Sequence, residues 1–157
     1  MAGTYDTSNI QFGGDLMLFM GSGAAKLPVA FSTSAKLSIN MSTKDVTSKD
    51  SGYNTDKIAG RLDWNMSTDG LLSYSLAVDD ALNNSIDELY TLMLARQSIN
   101  VVFATKTGTS PDWTVSAVAG KKSFTGKGFI TSIEQNADND SATYSITIEG
   151  TGALTLA

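Results

Sequence analysis

Apolar and polar residues alternate along four stretches of the 157-residue sequence, and this period of two is what most restricts its fold. Alternation gives a strand one apolar and one polar face, which is typical of antiparallel sheets with one buried side. The four stretches are residues 35–42, 62–66, 72–78 and 142–149. Weaker strands are predicted at 15–20, 27–31, 100–106, 113–119 and 128–134. The sequence therefore predicts a mainly β protein, an antiparallel β-sandwich or barrel.

Turn residues separate these strands. Asp69-Gly70 tolerates the positive φ angles of tight turns, so residues 67–70 are predicted to form a hairpin that joins strands 62–66 and 72–78. Residues 108–111 and 137–141 are predicted to be further hairpin loops.

One helix is predicted at about residues 85–97. Ser85 and Glu88 have the spacing of a capping box, in which each side chain satisfies a free N–H at the helix start. An apolar stripe at helical spacing follows, formed by Ile86, Leu89, Tyr90, Met93 and Leu94. We interpret this stripe as a surface that packs on the sheet, with a partner-binding helix as the alternative.

The polar segment at about residues 43–60 is predicted to be a long loop between two patterned strands. Structureless loops of this length are uncommon in compact domains unless they are functional or disordered. We expect the loop to fold against a neighbouring subunit. No repeat or linker indicates a second domain, so residues 1–157 are expected to form one domain.

Composition excludes most catalytic chemistry. The chain has no histidine and no cysteine, which removes the usual nucleophile systems and zinc sites. A net charge of -5 opposes tight binding to nucleic acid, and Lys121, Lys122 and Lys127 are interpreted as a solvated edge. Charged residues are only 17% of the chain, against about 25% in a typical soluble domain. Such depletion is typical of assembly interfaces, although β-rich proteins also favour serine and threonine.

Motifs that could carry chemistry are incomplete. The glycines at 21–26 and 120–128 lack the spacing of nucleotide-binding loops, and Asn136, Asp138 and Asp140 begin a calcium loop that is not continued. The acidic pairs Asp79-Asp80 and Asp87-Glu88 are poorly placed for a shared glycosidase site. Trp64, Tyr74 and Trp113 fall mostly on apolar faces and are expected in the core. The sequence thus predicts no enzyme and no catalytic, metal or cofactor site.

Targeting features are also lacking. No secretory signal and no stretch of about 20 apolar residues is present, so we expect synthesis in the cytoplasm without a membrane anchor.

Three segments together resemble the major tail tube proteins of long, non-contractile phage tails. They are Gly14-Asp15-Leu16-Met17-Leu18-Phe19 with Leu27-Pro28-Val29-Ala30, then Ser38-Ile39-Asn40 running into residues 45–52, and the C-terminal stretch 126–154. The resemblance spans most of the chain. It implies a β-sandwich or barrel with one flanking helix, in rings of six that stack into a hollow virion tail tube and contact other tail proteins. Related folds serve contractile tails and type VI secretion tubes.

The resemblance also implies where subunits meet. The loop reaching a neighbouring ring would contain Asp45, Val46, Thr47, Ser48, Lys49, Asp50, Ser51, Gly52 and Tyr53. We further hypothesise that Asp63, Glu134 and Glu149, on the polar faces of strands, line the lumen and repel passing DNA. Two alternatives stay open: a tube subunit of a phage-derived injection apparatus, and a small β-sandwich carbohydrate-binding module.

Overall fold

The fold was analysed in a computed structural model that describes residues 10–21, 26–73, 84–110 and 112–157. Within these ranges the chain forms one α-helix, α1 (Ile86–Leu94), and two short 3-10 turns at Gly13–Asp15 and Lys49–Ser51. The strands are β1 (Leu16–Gly21), β2 (Leu27–Pro28), β3 (Ser32–Asp45), β4 (Lys57–Leu71), β5 (Ile99–Thr109), β6 (Asp112–Val115), β7 (Ser123–Ala137) and β8 (Ala142–Leu156).

The eight strands form a single sheet in the order β2-β1-β5-β7-β8-β4-β3, with β6 paired to β5 beside this path. Every pair of named strands is antiparallel. The sheet is open and not closed into a barrel. It curves enough to bring Cα atoms of β1 and β3 within 8 Å of each other. The predicted mainly β, antiparallel architecture is therefore confirmed, with strands 35–42 and 142–149 inside the longer β3 and β8.

The alternating residues place the main core on the concave face of this sheet. The buried side chains of that core are Leu18, Met20, Val29, Trp64, Met66, Ile86, Leu89, Ile99, Val101, Ile130, Tyr144, Ile146 and Ile148. A smaller cluster of Phe19, Val102 and Ala104 lies on the opposite face, against Trp113 and Val115 of β6. Because successive side chains of a strand point to opposite faces, β1 and β5 supply both clusters.

Helix α1 covers the main core with four residues of the predicted stripe, whereas the fifth, Leu94 at the end of the helix, is 80% exposed. Ile86 and Leu89 are buried in the core, and the Ser85 N–H donates to the Glu88 carboxylate over 3.1 Å. The helix is shorter than predicted, because Arg96 has a φ of 54° that no helix can continue.

Strand β4 contradicts the hairpin predicted at residues 67–70. It runs straight through Asp69 and Gly70, because its residues 65–71 pair with β8 and satisfy their backbone groups there. The sequence does not show apolar alternation at this end of the strand, because its two core-facing positions are Thr68, which is polar yet buried, and Gly70, which has no side chain. Leu72 and Ser73 lie outside any strand, and residues 74–78 of the predicted partner strand lie outside the described ranges.

The predicted polar loop is shorter than residues 43–60. Strand β3 continues to Asp45 and β4 begins at Lys57, and these two residues pair directly. Only residues 46–56 lie between the strands. The polar side chains at 43–45 and 57–60 are compatible with strand structure because this part of the ladder is exposed on both faces.

Trp64 anchors β4 to the C-terminal strand. Its indole N–H donates to the Gly152 carbonyl over 3.1 Å, and its ring lies directly against the backbone of Gly126 and Gly150. A methyl group at either glycine would overlap the indole. Both glycines are therefore required by close packing, and Trp64 stays 5% exposed.

We expect Gly150→Ala to destabilise the protein by about 1–3 kcal/mol, because the added methyl group overpacks the site of the indole. Gly13→Ala is the matched control, since no atom lies within 4 Å of a Cβ added there. Urea unfolding followed by tryptophan fluorescence measures both variants. Equal stability of Gly150→Ala and the parent would contradict this packing assignment.

Candidate assembly surface

Residues 39–63 form an arm that projects from the sheet. The arm consists of the outer halves of β3 and β4 and the connecting residues 46–56. Every residue of the arm is exposed except Ser51, which is half-buried. It contains all nine residues that the sequence assigned to a subunit-contacting loop, 45–53. The base of the arm lies next to the body of the subunit, where Ile39 and Leu62 line a groove with Phe124 and Leu156.

Local hydrogen bonds hold the tip of the arm. The Val46 N–H donates to the Asp56 carbonyl over 2.9 Å, and the Asp56 N–H donates to the Thr47 hydroxyl over 3.0 Å. The Thr47 N–H donates to the Asp45 carboxylate over 2.8 Å, and hydrogen bonds from Thr47 hold the pKa of that carboxyl below its usual value. The tip is thus ordered by its own side chains, with Tyr53 fully exposed.

At the base of the arm, the apolar side chains that continue the core face are exposed to solvent. Cross-strand pairing places Met41 beside Leu62 and Ile39 beside Trp64, so the core face of β3 and β4 continues onto the arm. Ile39, Met41 and Leu62 are 48%, 54% and 66% exposed. Ile39 and Leu62 border a groove of about 210 Å³, which is lined by Ile39, Leu62, Trp64, Phe124, Gly152, Ala153, Leu154 and Leu156.

The opposite face of the same strands is polar. Pairing of Asn40 with Asp63, Asn65 with Glu149, and Glu134 with Ser145 places the three acids proposed to line a lumen on this one face. All three are exposed. The same alternation puts Lys36, Lys44, Arg61 and Lys127 there as well, together with Phe129, which pairs with Glu149 and is 41% exposed. The face is therefore mixed in charge, with serine, threonine and asparagine between the charged groups.

Sequence reasoning missed Asp69 on the polar face, because that residue had been assigned to a turn. Its carboxylate accepts hydrogen bonds from the hydroxyls of Ser34 over 2.8 Å and Ser145 over 2.6 Å. It joins β3, β4 and β8 across the face beside a cleft of about 670 Å³. The position of Asp69, two strand periods from Asn65 and three from Asp63, was the signal that could have revealed it.

The other candidate sites are separated in the structure. Lys127 lies within β7 on the polar face, whereas Lys121 and Lys122 precede the first residue of that strand. Asp138 accepts from the Asn139 N–H in the β7–β8 turn, and Lys106 lies 4.2 Å from the centre of the Trp113 ring. Asp79, Asp80 and Tyr74 lie outside the described residues. Across the described ranges, no three acidic residues come together as a metal site.

Within the described ranges, no helix has the length and apolarity needed to cross a bilayer.

The chain is similar in sequence or in fold to several known proteins. A family profile described as phage tail tube protein matches residues 10–92. No curated protein is significantly similar in sequence. The fold is similar to that of a chain in the tail of an empty gene transfer agent particle refined with C6 symmetry, at 21% identity and a TM-score of 0.68, covering 94% of this chain and 99% of that one.

Two further structures share the fold. A chain of the SPP1 tail tube matches with a TM-score of 0.64 and 11% identity, over 92% of this chain and 77% of that one. A chain of the anti-feeding prophage baseplate matches with a TM-score of 0.59 and 8% identity, over 90% and 91%. At these identities the likeness establishes the fold.

Tyr144 makes the stability of the folded sheet depend on pH under alkaline conditions. Its hydroxyl donates to the Ala30 carbonyl over 2.8 Å, and burial, with the nearby Asp69 carboxylate, raises its pKa above the ordinary value of 10.0. A raised pKa means that the folded state favours the neutral phenol. This contribution is complete below pH 10 and is lost as the pH rises through the folded pKa.

We expect the free energy of unfolding to fall as the pH rises above about 10, and Tyr144→Phe to flatten that slope. The variant should also lose about 1–3 kcal/mol at neutral pH, because a buried carbonyl loses its donor. Tyr53→Phe, with an exposed hydroxyl, is the control. Urea unfolding between about pH 8 and pH 11 measures both effects, and an unchanged slope in Tyr144→Phe would contradict the assignment.

Proposed function

The chain belongs to the phage tail tube protein family, and we infer that its copies close into rings of six that stack as the hollow tube of a virion tail. It is a structural subunit of a tail tube and not an enzyme. The observation that carries the assembly proposal is the arm. A segment of 25 residues that has internal hydrogen bonds and an apolar side at its base, and is exposed along almost its whole length in the described structure, indicates a partner surface.

Six copies are proposed because of the shared fold. The similar tail of the gene transfer agent particle was refined with C6 symmetry. A ring of identical subunits requires a head-to-tail interface whose rotation closes, and stacking requires a separate axial contact. An arm that leaves the body of the subunit suits a contact with a neighbouring ring. Residues 45–53 at its tip are proposed to make that contact.

We propose that the polar face lines the lumen and that DNA passes along it. The face carries four carboxylates, Asp63, Asp69, Glu134 and Glu149, and four cations, Lys36, Lys44, Arg61 and Lys127. Serine, threonine and asparagine side chains lie between them. A wall on which carboxylates balance the cations offers phosphates no cluster of positive charge to bind, so DNA slides through.

A tube subunit of a phage-derived injection apparatus is the second candidate. The observation that favours it is the fold shared with a chain of the anti-feeding prophage baseplate. Both functions use the same stacked rings. The two differ in whether assembled particles contain a genome, which nuclease-protected DNA in purified particles measures.

We expect concentrated protein to form hollow tubes visible by negative-stain electron microscopy. Replacing residues 46–56 with Asn-Gly should abolish tubes, because Asp45 and Lys57 already pair and a two-residue turn closes that ladder without the tip. The free energy of unfolding should change by less than about 1 kcal/mol, since every residue of the tip except Ser51 is exposed.

A variant with eleven Gly/Ser residues in place of 46–56 is the control for length. It keeps the reach of the arm and removes its side chains, so it should also fail to form tubes. Normal tubes from the Asn-Gly variant would refute a role of the tip in assembly. Absence of tubes and rings from the parent protein at every concentration would refute self-assembly itself.

We expect the triple change Asp63→Lys, Glu134→Lys and Glu149→Lys to slow DNA ejection while tubes still form. Each new cation faces the passing phosphates and binds them, an effect that salt should weaken. The control replaces the same residues with Asn, Gln and Gln, which removes charge without adding cations. Dye-labelled DNA release from particles measures the rate. Equal rates in all three proteins would rule out this lumen assignment.

A further inference from the structure

The long antiparallel strands give the subunit two chemically different ends. We call one the acidic end, defined by Phe31, Leu71, Asp138 and Asp140. We call the other the groove end, defined by the groove beside the arm together with Lys121 and Lys122. Strands β4 and β7 each run from one end to the other. Leu62 and Leu71, on β4, are about 30 Å apart at the usual rise per residue of a strand.

Backbone hydrogen bonds assemble the acidic end. The Leu71 N–H donates to the Phe31 carbonyl over 3.1 Å, and the Leu72 N–H donates to the Ala142 carbonyl over 2.9 Å. These bonds bring the start of β3, the end of β4 and the β7–β8 turn together. The turn carries Asp138 and Asp140, both exposed.

Phe31 is unusual in two ways. It has a φ of 54°, which is an outlier for a bulky side chain, and its ring is 55% exposed beside Leu71, which is 45% exposed. The Tyr144 hydroxyl holds the preceding carbonyl of Ala30, so the surrounding structure imposes this conformation. Backbone strain that presents an apolar ring to solvent indicates a functional contact.

The groove end has the complementary properties. Phe124 pairs with Leu156 in the groove wall, and the Ser123 N–H donates to the Ala157 carbonyl over 3.0 Å. Lys121 and Lys122 come directly before this point, and Lys122 is exposed. At the groove end, an apolar groove therefore lies beside two cations. At the acidic end, two exposed apolar side chains lie beside two carboxylates.

We propose that the acidic end of one copy docks on the groove end of a copy in the adjacent ring. Phe31 and Leu71 enter the groove between Ile39, Leu62 and Leu156, while Asp138 and Asp140 face Lys121 and Lys122. This inference rests on the proposed stacking of rings and names the axial contact within it. The apolar groups of one end match the groove of the other, and the acidic groups of one end match the cations of the other. An open head-to-tail stack requires two such unlike but matching ends. The arm tip continues beyond the groove and runs alongside the docked copy.

Charge exchange tests the proposal. Lys121→Glu/Lys122→Glu should abolish sedimentable tubes, and so should Asp138→Lys/Asp140→Lys, because each places like charges across the axial contact. The chain that carries all four changes should form tubes again, since opposite charges then face each other. Lys36→Glu/Lys127→Glu is the matched control: it makes the same change in net charge on the polar face and should leave assembly intact.

Disulfide trapping identifies the residues in contact. The chain contains no cysteine, so a chain with Leu62→Cys and Leu71→Cys has only these two thiols. They are too far apart to bridge within one copy. Oxidised tubes should give a covalent ladder that continues beyond six copies, because an axial contact does not close. Chains with one of the two cysteines should give dimers at most.

The outcomes separate this inference from the proposed function. A ladder that stops at six copies would place the contact within a ring and overturn the axial assignment. Tubes without a ladder, or failure of the four-change chain to assemble while it stays folded, would overturn it as well. In each of these cases tube formation by the parent protein still stands. If the parent forms no tubes, the stacking on which the inference rests fails first.

Discussion

The pairing of β4 between β3 and β8 is the constraint on which the rest of the structure depends. Trp64 holds the part of β4 that pairs with β8. Its indole ring lies on the backbone of Gly126 and Gly150, and its N–H donates a hydrogen bond to the Gly152 carbonyl. That contact fixes β4 against β7 and β8. With the strand fixed, its alternating side chains divide the sheet into an apolar face and a polar face, and its outer half is carried into solvent as the arm.

The two faces of this sheet suit two different tasks. The apolar face forms the core where helix α1 covers it, and its continuation beyond the helix to Ile39 and Leu62 is the surface proposed for assembly. Among the described residues, the polar face of β3, β4, β7 and β8 is largely exposed and carries charges of both signs. A tube needs both properties, because its subunits must bind one another firmly while its inner wall binds nothing passing through it.

Much of this organisation could be predicted from local patterns. The alternating faces of strands 35–42, 62–66 and 142–149 and the capped start of α1 at Ser85 appear in the sequence and are confirmed by the fold, and the family resemblance is confirmed by the profile over residues 10–92. The prediction was wrong at residues 67–70, where Asp69-Gly70 has the composition of a turn. The gain from pairing with β8 outweighs that preference, and the pairing joins residues about 75 positions apart in the chain.

By itself, the sequence determined the apolar side of the strands that alternate regularly, where the helix begins and that histidine and cysteine chemistry is excluded. These are properties of composition and of short-range periodicity. Only the tertiary structure decided which strands pair, that the outer halves of β3 and β4 leave the body as an arm, and that Phe31 and Lys122 lie at opposite ends. Those features depend on contacts between distant segments, and the free energy of such contacts is set by packing that no local pattern records.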